Sequence, residues 1–456
     1  MVENKIKQEL SLRKDSRMLK RWSKIELPIY LKIYLFEVTN PDEVEYQKGK
    51  PILKERGPYT FIESRYKEIL GYEQEERLVK YKEFTSFHFD RSNSIGDLEE
   101  EITFLNVPVV AAINNVMAQL NTTDLGYVMF DALKAVLHSM GEPLFEVHTI
   151  DEMLFKGYFV ELLERLKTIA EEFGIEIPEN LPNKTFGLLV GKNNSDNGIW
   201  EVQTGIGNDA FVVYSWNNSR KVPYWTHDSC NEIKGTDGSS FHPGIQRSET
   251  LYAFQPDLCR SAFVTYASDS NIFGVDAFRF TIPKKVFAAP LNDSDNFCLC
   301  TRPVKDRRIC LINGIQDMSS CRDGAPIVIS SPHFFDTDPI LLNDVDGLEP
   351  VESKHRTYLD VEPVTGAVVN AARRMQINIE IKNDAEFMVM SRVRNMILPL
   401  LWIEETAAIN EEMANEFKFM RSSLRNANIS CWIAIALSFA MTVLGFTLLH
   451  TYPYHK

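Results

Sequence analysis

The chain has 456 residues, of which 44% are apolar and 25% charged, a mixture that can bury a large core and is unlike that of a disordered protein. Its formal net charge of −14 repels phosphate backbones, and no long Lys/Arg run with interleaved aromatics overrides that locally, so nucleic acid is not an expected partner. No G-x-S-x-G, H-E-x-x-H, P-loop or dinucleotide fingerprint occurs, which argues against an enzyme and leaves no cofactor implied.

The most basic stretch, Lys14-Asp-Ser-Arg-Met-Leu-Lys-Arg-Trp-Ser-Lys24, reads as a solvated helix face or a binding segment. The apolar run from Leu27 to Leu35 is short and interrupted by Lys32, so it cannot cross a bilayer. From Ile33 to Tyr81, β-rich runs alternate with turn signals such as Arg56-Gly-Pro-Tyr-Thr-Phe61, and strands are expected.

Between Phe104 and Phe173 the period becomes helical. Val109, Val110, Ile113, Val116, Met117 and Leu120 share one face, and Val128, Met129, Leu133, Val136 and Leu137 share the next. A third helix is expected to open on the capping box Thr149-Ile-Asp-Glu152, where hydroxyl and carboxylate satisfy each other's free backbone N–H groups. Its apolar stripe, with Met153, Phe155 and Phe159, is wide enough to pack on neighbours and to offer surface to a partner. From Phe186 onward the text is again β-like, as in Gly198-Ile-Trp-Glu-Val-Gln203 and Met375-Gln-Ile-Asn-Ile-Glu-Ile381. The expected class is α+β: a helical head, about residues 105–175, inserted in one large antiparallel β body.

Six of the seven cysteines fall between Cys230 and Cys321, and the seventh is Cys431. An even set crowded into one region reads as a disulfide framework, each bridge contributing roughly 2 to 4 kcal/mol, although six cysteines allow about 15 connectivities. Cys298-Leu-Cys300 lacks the CxxC knuckles of a zinc ribbon, so no metal is expected. Sequons at Asn121, Asn183, Asn193, Asn217 and Asn292 are expected to carry N-glycans on exposed loops, in agreement with an oxidising compartment; Asn428 abuts the apolar segment that follows. His227-Asp-Ser229 holds triad residue types, but contiguous residues cannot adopt a triad geometry.

Ile429 to Leu449 is free of charge and about as long as a bilayer core is thick. The expected division is an ectodomain over 1–428, a membrane helix over 429–450 and a short cytoplasmic tail over 451–456. Lys418, Arg421 and Arg425 precede this span and only Lys456 follows it, a charge bias that by itself would put the large domain in the cytosol.

Several motifs carry a resemblance: Ile33-Tyr-Leu-Phe-Glu-Val-Thr-Asn-Pro41, Glu55-Arg-Gly-Pro-Tyr59, Gly235-Thr-Asp-Gly238 with Phe241, Asp257-Leu-Cys-Arg-Ser261, Pro332-His-Phe334 and His355-Arg-Thr-Tyr-Leu-Asp-Val-Glu-Pro-Val-Thr-Gly366. In this order, over nearly the whole chain, they resemble the class B scavenger receptors, whose branches include fatty-acid and lipoprotein receptors and the lysosomal integral membrane protein of type two. The resemblance implies a β-barrel with an apolar tunnel, a helical-bundle cap and a membrane helix at each end. It implies the pairs Cys230 with Cys298, Cys259 with Cys321, and Cys300 with Cys310. It implies lipids (fatty acids, sterols, phospholipids) or lipoproteins as ligands, possession of a lumenal or extracellular face, and the plasma membrane or lysosomal membrane as location. In the family the first membrane helix sets topology and overrides the charge bias; none precedes the basic stretch here, and an incomplete gene model or a variant form is the expectation.

Within that family, Phe145-Glu-Val-His-Thr-Ile-Asp-Glu152 looks most like the lysosomal branch, where a histidine at the position of His148 is linked to pH-dependent release of a protein cargo. Histidine as a residue type titrates near pH ~6.5, so His148 is read either as a release switch or as an ordinary exposed side chain; Glu152, Met153, Phe155 and Phe159 complete the expected contact face. By contrast, Phe297-Cys-Leu-Cys300 looks more like the lipoprotein-receptor branch. Ser139-Met-Gly-Glu-Pro143 replaces the lysine-bearing stretch of the fatty-acid receptor, and Thr451-Tyr-Pro-Tyr-His-Lys456 lacks the acidic-dileucine tail of the lysosomal member.

Overall fold

The computed structural model describes residues 9–25, 27–119, 124–172, 184–207, 209–302 and 309–451. Its body is one antiparallel sheet. The strands are β1 (Ile29–Val38), β2 (Leu53–Glu73), β3 (Leu78–Phe89), β8 (Ser195–Gln203), β9 (Val213–Trp216), β10 (Thr250–Gln255), β11 (Arg260–Ile272), β12 (Val275–Thr281), β15 (Tyr358–Val361), β16 (Val368–Ile381) and β17 (Met396–Ala408). They run in the order β10-β11-β12-β15-β16-β17-β1-β2-β3-β8-β9, with β13 (Ile315–Asp317) and β14 (Ile327–Ser330) joined to β16 through β14. The apolar run that is too short for a membrane falls on β1, an inner strand, pairing Ile33 with Ile403 on one side and with Tyr59 on the other.

The main path ends at β9 and β10, and the segment Gly235–Thr236 stitches these two edges together. Val213 N donates to Gly235 O at 2.8 Å, Thr236 N to Tyr252 O at 3.0 Å, and Phe254 N to Thr236 O at 2.8 Å. The sheet is thereby nearly closed into a barrel, which removes the exposed edges that an open sheet must otherwise protect. Gly235 is needed there: its φ is +82°, and a Cβ would lie 1.9 Å from Tyr252 O.

The head leaves the barrel after β3 and returns at β8. It contains an antiparallel pair of β4 (Glu101–Leu105) and β5 (Phe145–Thr149), with α3 (Val107–Gln119) and α4 (Asp124–Met140) between them in the chain and α5 (Glu161–Glu172) after them. The smaller α1 (Arg17–Ser23) and α2 (Pro41–Gln47) lie earlier in the chain. Head residues Phe104, Val110, Ile113, Leu133 and Leu154 share one buried cluster with barrel residues Leu35, Phe36, Leu398 and Trp402. The head is therefore continuous with the barrel core.

Two expectations are corrected here. The segment around His148 is a strand: Phe145-Glu-Val-His-Thr149 pairs with Glu101–Leu105, a period-two stretch hidden among helical ones. The helix expected from Thr149 to Phe173 is also broken. The capping box forms, with Thr149 N donating to Glu152 Oε2 at 3.1 Å and Glu152 N to Thr149 Oγ1 at 3.3 Å, but the element it opens is a single π turn, Glu152–Lys156. Gly157, at φ +76°, ends it, and Tyr158–Phe159 (β6) pairs with Thr185–Phe186 (β7) before α5 begins.

The last element, α6 (Glu411–Thr451), is a continuous helix of 41 residues. Its first turns pack Met413, Ala414 and Phe417 on Val275, Ala277 and Val369. Its segment Ile429–Thr447 is apolar, long enough to cross a membrane, and has none of its residues buried in the rest of the protein.

Candidate functional site

Within the barrel lies a cavity of about 1090 Å³. Most of its wall is apolar, from Phe241, Leu251, Phe263, Val264, Ile282, Leu359 and Val368. Such a wall follows from strand alternation, since every second residue faces inward. The cavity reaches the surface beside the membrane helix: Arg21 of α1 and Glu416 and Phe419 of α6 line it, and they are 57%, 59% and 74% exposed. Arg21 bridges this rim to Glu416 at 2.8 Å.

A band of charge lies in the wall, with Arg65, Glu83, Asp237, Arg373 and Glu405 lining the cavity and Glu63 and Lys67 behind them. On β2, Glu63, Arg65 and Lys67 occupy alternate positions and so share one face. Arg65 pairs with Glu63 and, at 3.0 Å, with Glu405; Arg373 pairs with Glu405 at 2.6 Å. Lys67 meets Glu83 at 2.6 Å and Asp237 at 3.5 Å, and the Tyr81 hydroxyl donates to Asp237 at 3.3 Å. Burial alone would push the Glu405 carboxyl up, but Arg373 and Arg65 more than reverse this and hold it well below the usual carboxylate range. Burial, with Glu405 beside it, pushes Glu63 up. Burial would lower the Lys67 ammonium, yet Glu83 and Asp237 outweigh it and raise it. The ions are therefore buried and mutually compensated.

This band is not legible along the sequence. Its one local signal, three charges at i, i+2 and i+4 of a β-like run, was present in Glu63-Ser-Arg-Tyr-Lys67. The partners Glu83, Asp237, Arg373 and Glu405 are distant along the chain and become neighbours only when the barrel closes.

In the head, His148 lies within 3.1 Å of Glu146 Oε2 and 3.8 Å of Glu152 Oε2, and its ring stacks on Tyr158 at 3.7 Å. Of the apolar residues expected on the contact face, Phe159 is 58% exposed. Met153 is fully buried, and Phe155 packs on Phe61 and Phe87 at 4.9 and 5.4 Å, so these two are core. The break at Gly157 causes the split, since it turns Phe159 away from the face that Met153 presents to the barrel.

The structure joins Cys230 to Cys298, Cys259 to Cys321 and Cys300 to Cys310, with Cα atoms 6.1, 6.4 and 5.6 Å apart. Asn193, Asn217 and Asn292 are exposed; Asn121 and Asn183 lie outside the described residues. The Oδ1 atoms of Asn193 and Asn217 accept from Phe87 N and Ile199 N at 2.9 Å, and Asn193 Nδ2 donates to Phe87 O at 3.4 Å. Asp228 of His227-Asp-Ser229 is engaged by Lys221 at 2.6 Å.

Residues 1–449 match the family model described as CD36 family. The chain is 32% identical over 420 residues to lysosome membrane protein 2 of Mus musculus, covering 91% of this chain and 82% of that protein. It is 34% identical over 427 residues to scavenger receptor class B member 1 of Cricetulus griseus, covering 91% and 78%. With two thirds or more of each relative spanned and the family model matched nearly end to end, this chain belongs to the CD36 family.

Proposed function

We propose that this protein is a receptor that binds lipid or lipoprotein and passes lipid through the barrel interior between its outer surface and the membrane. The observation that carries the reading is the mostly apolar cavity of about 1090 Å³, whose exposed rim is built from the helix that continues into the apolar span. A cavity of this size suits one lipid molecule, and apolar walls with few polar guides are how such ligands are held. Lipid-stripped full-length protein in detergent should take up labelled cholesterol saturably. Ala371→Trp, which puts a large ring on the cavity wall, should reduce that uptake severalfold. Unchanged uptake in a folded Ala371→Trp protein would remove the interior route.

A second reading concerns the head: it binds a protein cargo, and His148 tunes release with pH. It is favoured by His148 standing between Glu146 and Glu152, beside the exposed Phe159. A cationic imidazole there would face both carboxylates. A His148→Ala protein whose cargo affinity still varies with pH as the parent does would sink this reading.

A further inference from the structure

The cavity has a far end as well as the rim beside α6. β12 starts next to that helix, where Asp276 pairs with Arg421 at 2.5 Å, and ends at Thr281, roughly 20 Å away. Beyond Thr281, Lys284, Asp336 and Arg356 line the cavity, and the Lys284 side chain is 75% exposed, so the far end also comes to the surface. The wall there is the segment Ser331–Thr337, which contributes Ser331, Phe335 and Asp336 to the lining.

This segment is fixed at both ends. Pro332, His333 and Phe334 are buried, and His333 N donates to Gln376 Oε1 at 2.6 Å. At the other end Asp338 N donates to Asn313 O at 3.0 Å, and Gly314 admits the backbone of Thr337, whose Cα would lie 2.5 Å from any Cβ placed there. Between the anchors Phe335 N donates only locally, to Pro332 O at 3.0 Å, and side chains make the ties to the facing wall. Asp336 pairs with Arg356 at 3.0 Å and with Lys284 at 3.2 Å, and the Arg356 guanidinium lies 4.8 Å from the centre of the Phe335 ring. Glu352 holds Arg356 from the outside at 2.8 Å.

The backbone of the segment is strained. His333, Phe334 and Asp336 have φ of +53°, +55° and +59°, which residues other than glycine rarely adopt. Such a conformation persists only while its surroundings hold it. Around Asp336 the surroundings are two partly exposed ion pairs, a kind of contact that is weak and screened by salt.

Building on the lipid-carrying reading above, we propose that Ser331–Thr337 is a strap across the far end of the cavity and that Asp336, through Lys284 and Arg356, is its latch. With the latch closed, Phe335 blocks the passage of lipid between the cavity and the outer surface. With it open, the strained segment relaxes between its two anchors and lipid passes.

The test measures how fast labelled cholesterol, presented in water on cyclodextrin, passes into lipid nanodiscs that hold the full-length protein, above the rate for protein-free discs. Asp336→Asn should raise that rate at least about fivefold, while the equilibrium affinity of lipid-stripped protein for cholesterol changes less than about twofold. Raising the salt from about 0.05 to about 0.5 M should speed the parent and leave Asp336→Asn nearly unchanged. Lys284→Met alters only the exposed half of the latch and should give a smaller increase in the same direction, which covers the case of an Asp336→Asn protein that does not fold. Equal rates in the parent and both variants, with cholesterol still bound, overturn the latch and leave lipid carriage standing. Affinity lost in Asp336→Asn without faster transfer makes Asp336 a ligand contact and overturns the latch too. A parent that neither binds cholesterol nor transfers it above protein-free discs removes the carrier reading, and the latch with it.

Discussion

Glu55, His333 and His355, taken from three motifs that carry the family resemblance, meet in one cluster in which the two histidines are buried and Glu55 reaches them from the surface. Glu55 Oε2 lies 2.6 Å from His333 Nε2 and accepts from Trp402 Nε1 at 2.7 Å, and the two imidazoles stack with centroids 4.4 Å apart. Each imidazole accepts a backbone N–H on Nδ1, from Glu349 and Val351 respectively, at 3.0 Å. That arrangement needs both Nδ1 atoms unprotonated. Burial, then the neighbouring His333, push His355 down to about 4, with Glu55 opposing and Arg374 and Lys354 adding to the effect. The unfolded chain therefore takes up the proton first, at about pH 6.5, so this contribution is complete above that pH and is lost as pH falls toward 4. It amounts to about 3 kcal/mol. His355→Asn should be less stable than the parent near pH 7.5, and the gap should close by about that amount on going to pH 4. Denaturant melts across this range check it, and a gap that stays constant with pH would refute the assignment.

Among the elements, two glycines show what local text does and does not specify. The capping box around Thr149 forms as the residues dictate because it is a contact of three residues' separation, but Gly157 decides that the element ends after one turn. Gly235 acts at longer range, letting the backbone of Gly235–Thr236 bridge β9 and β10. Gly244 has nearly the same φ, +83° against +82°, but nothing lies within 4 Å of where its Cβ would be. Gly244→Ala should therefore cost about 1 to 2 kcal/mol, the conformational penalty alone. Gly235→Ala should cost at least about 2 kcal/mol more, because the Tyr252 carbonyl must move and the closing hydrogen bonds go with it. Equal melting temperatures for the two proteins would show that closure at Thr236 contributes little.

As a whole molecule, the protein is a membrane protein of the CD36 family with a large ectodomain, and its relatives include a lysosome membrane protein and a scavenger receptor. Three disulfides bridge the segment Cys230–Cys321, with ring spans of 68, 62 and 10 residues, and Cys431 is the free cysteine of the described chain. With a lumenal or extracellular ectodomain, the sequons at Asn193, Asn217 and Asn292, together with those at Asn121 and Asn183, are expected to carry N-glycans. Native protein treated with an N-glycanase should run faster on a gel, and each Asn→Gln change should remove one step of that shift. Protein with no shift and with all thiols open to alkylation before reduction would contradict this topology.

What the sequence determined by itself was what neighbouring residues settle. The uncharged run of α6, the period-two text of the strands, the apolar faces of α3 and α4 and the capping hydrogen bonds all depend on residues a few positions apart. The family motifs also stood in the text, although what Gly235-Thr-Asp-Gly238 does could not be read there. Only the tertiary structure brought Arg65 to Glu405, Lys67 to Asp237 and Glu55 to His333 and His355, closed the barrel through Thr236, and divided Phe159 from Met153. The physical reason is register: once β1 pairs with β2 and β17, inward-facing side chains hundreds of residues apart share one cavity, and no local pattern encodes that pairing.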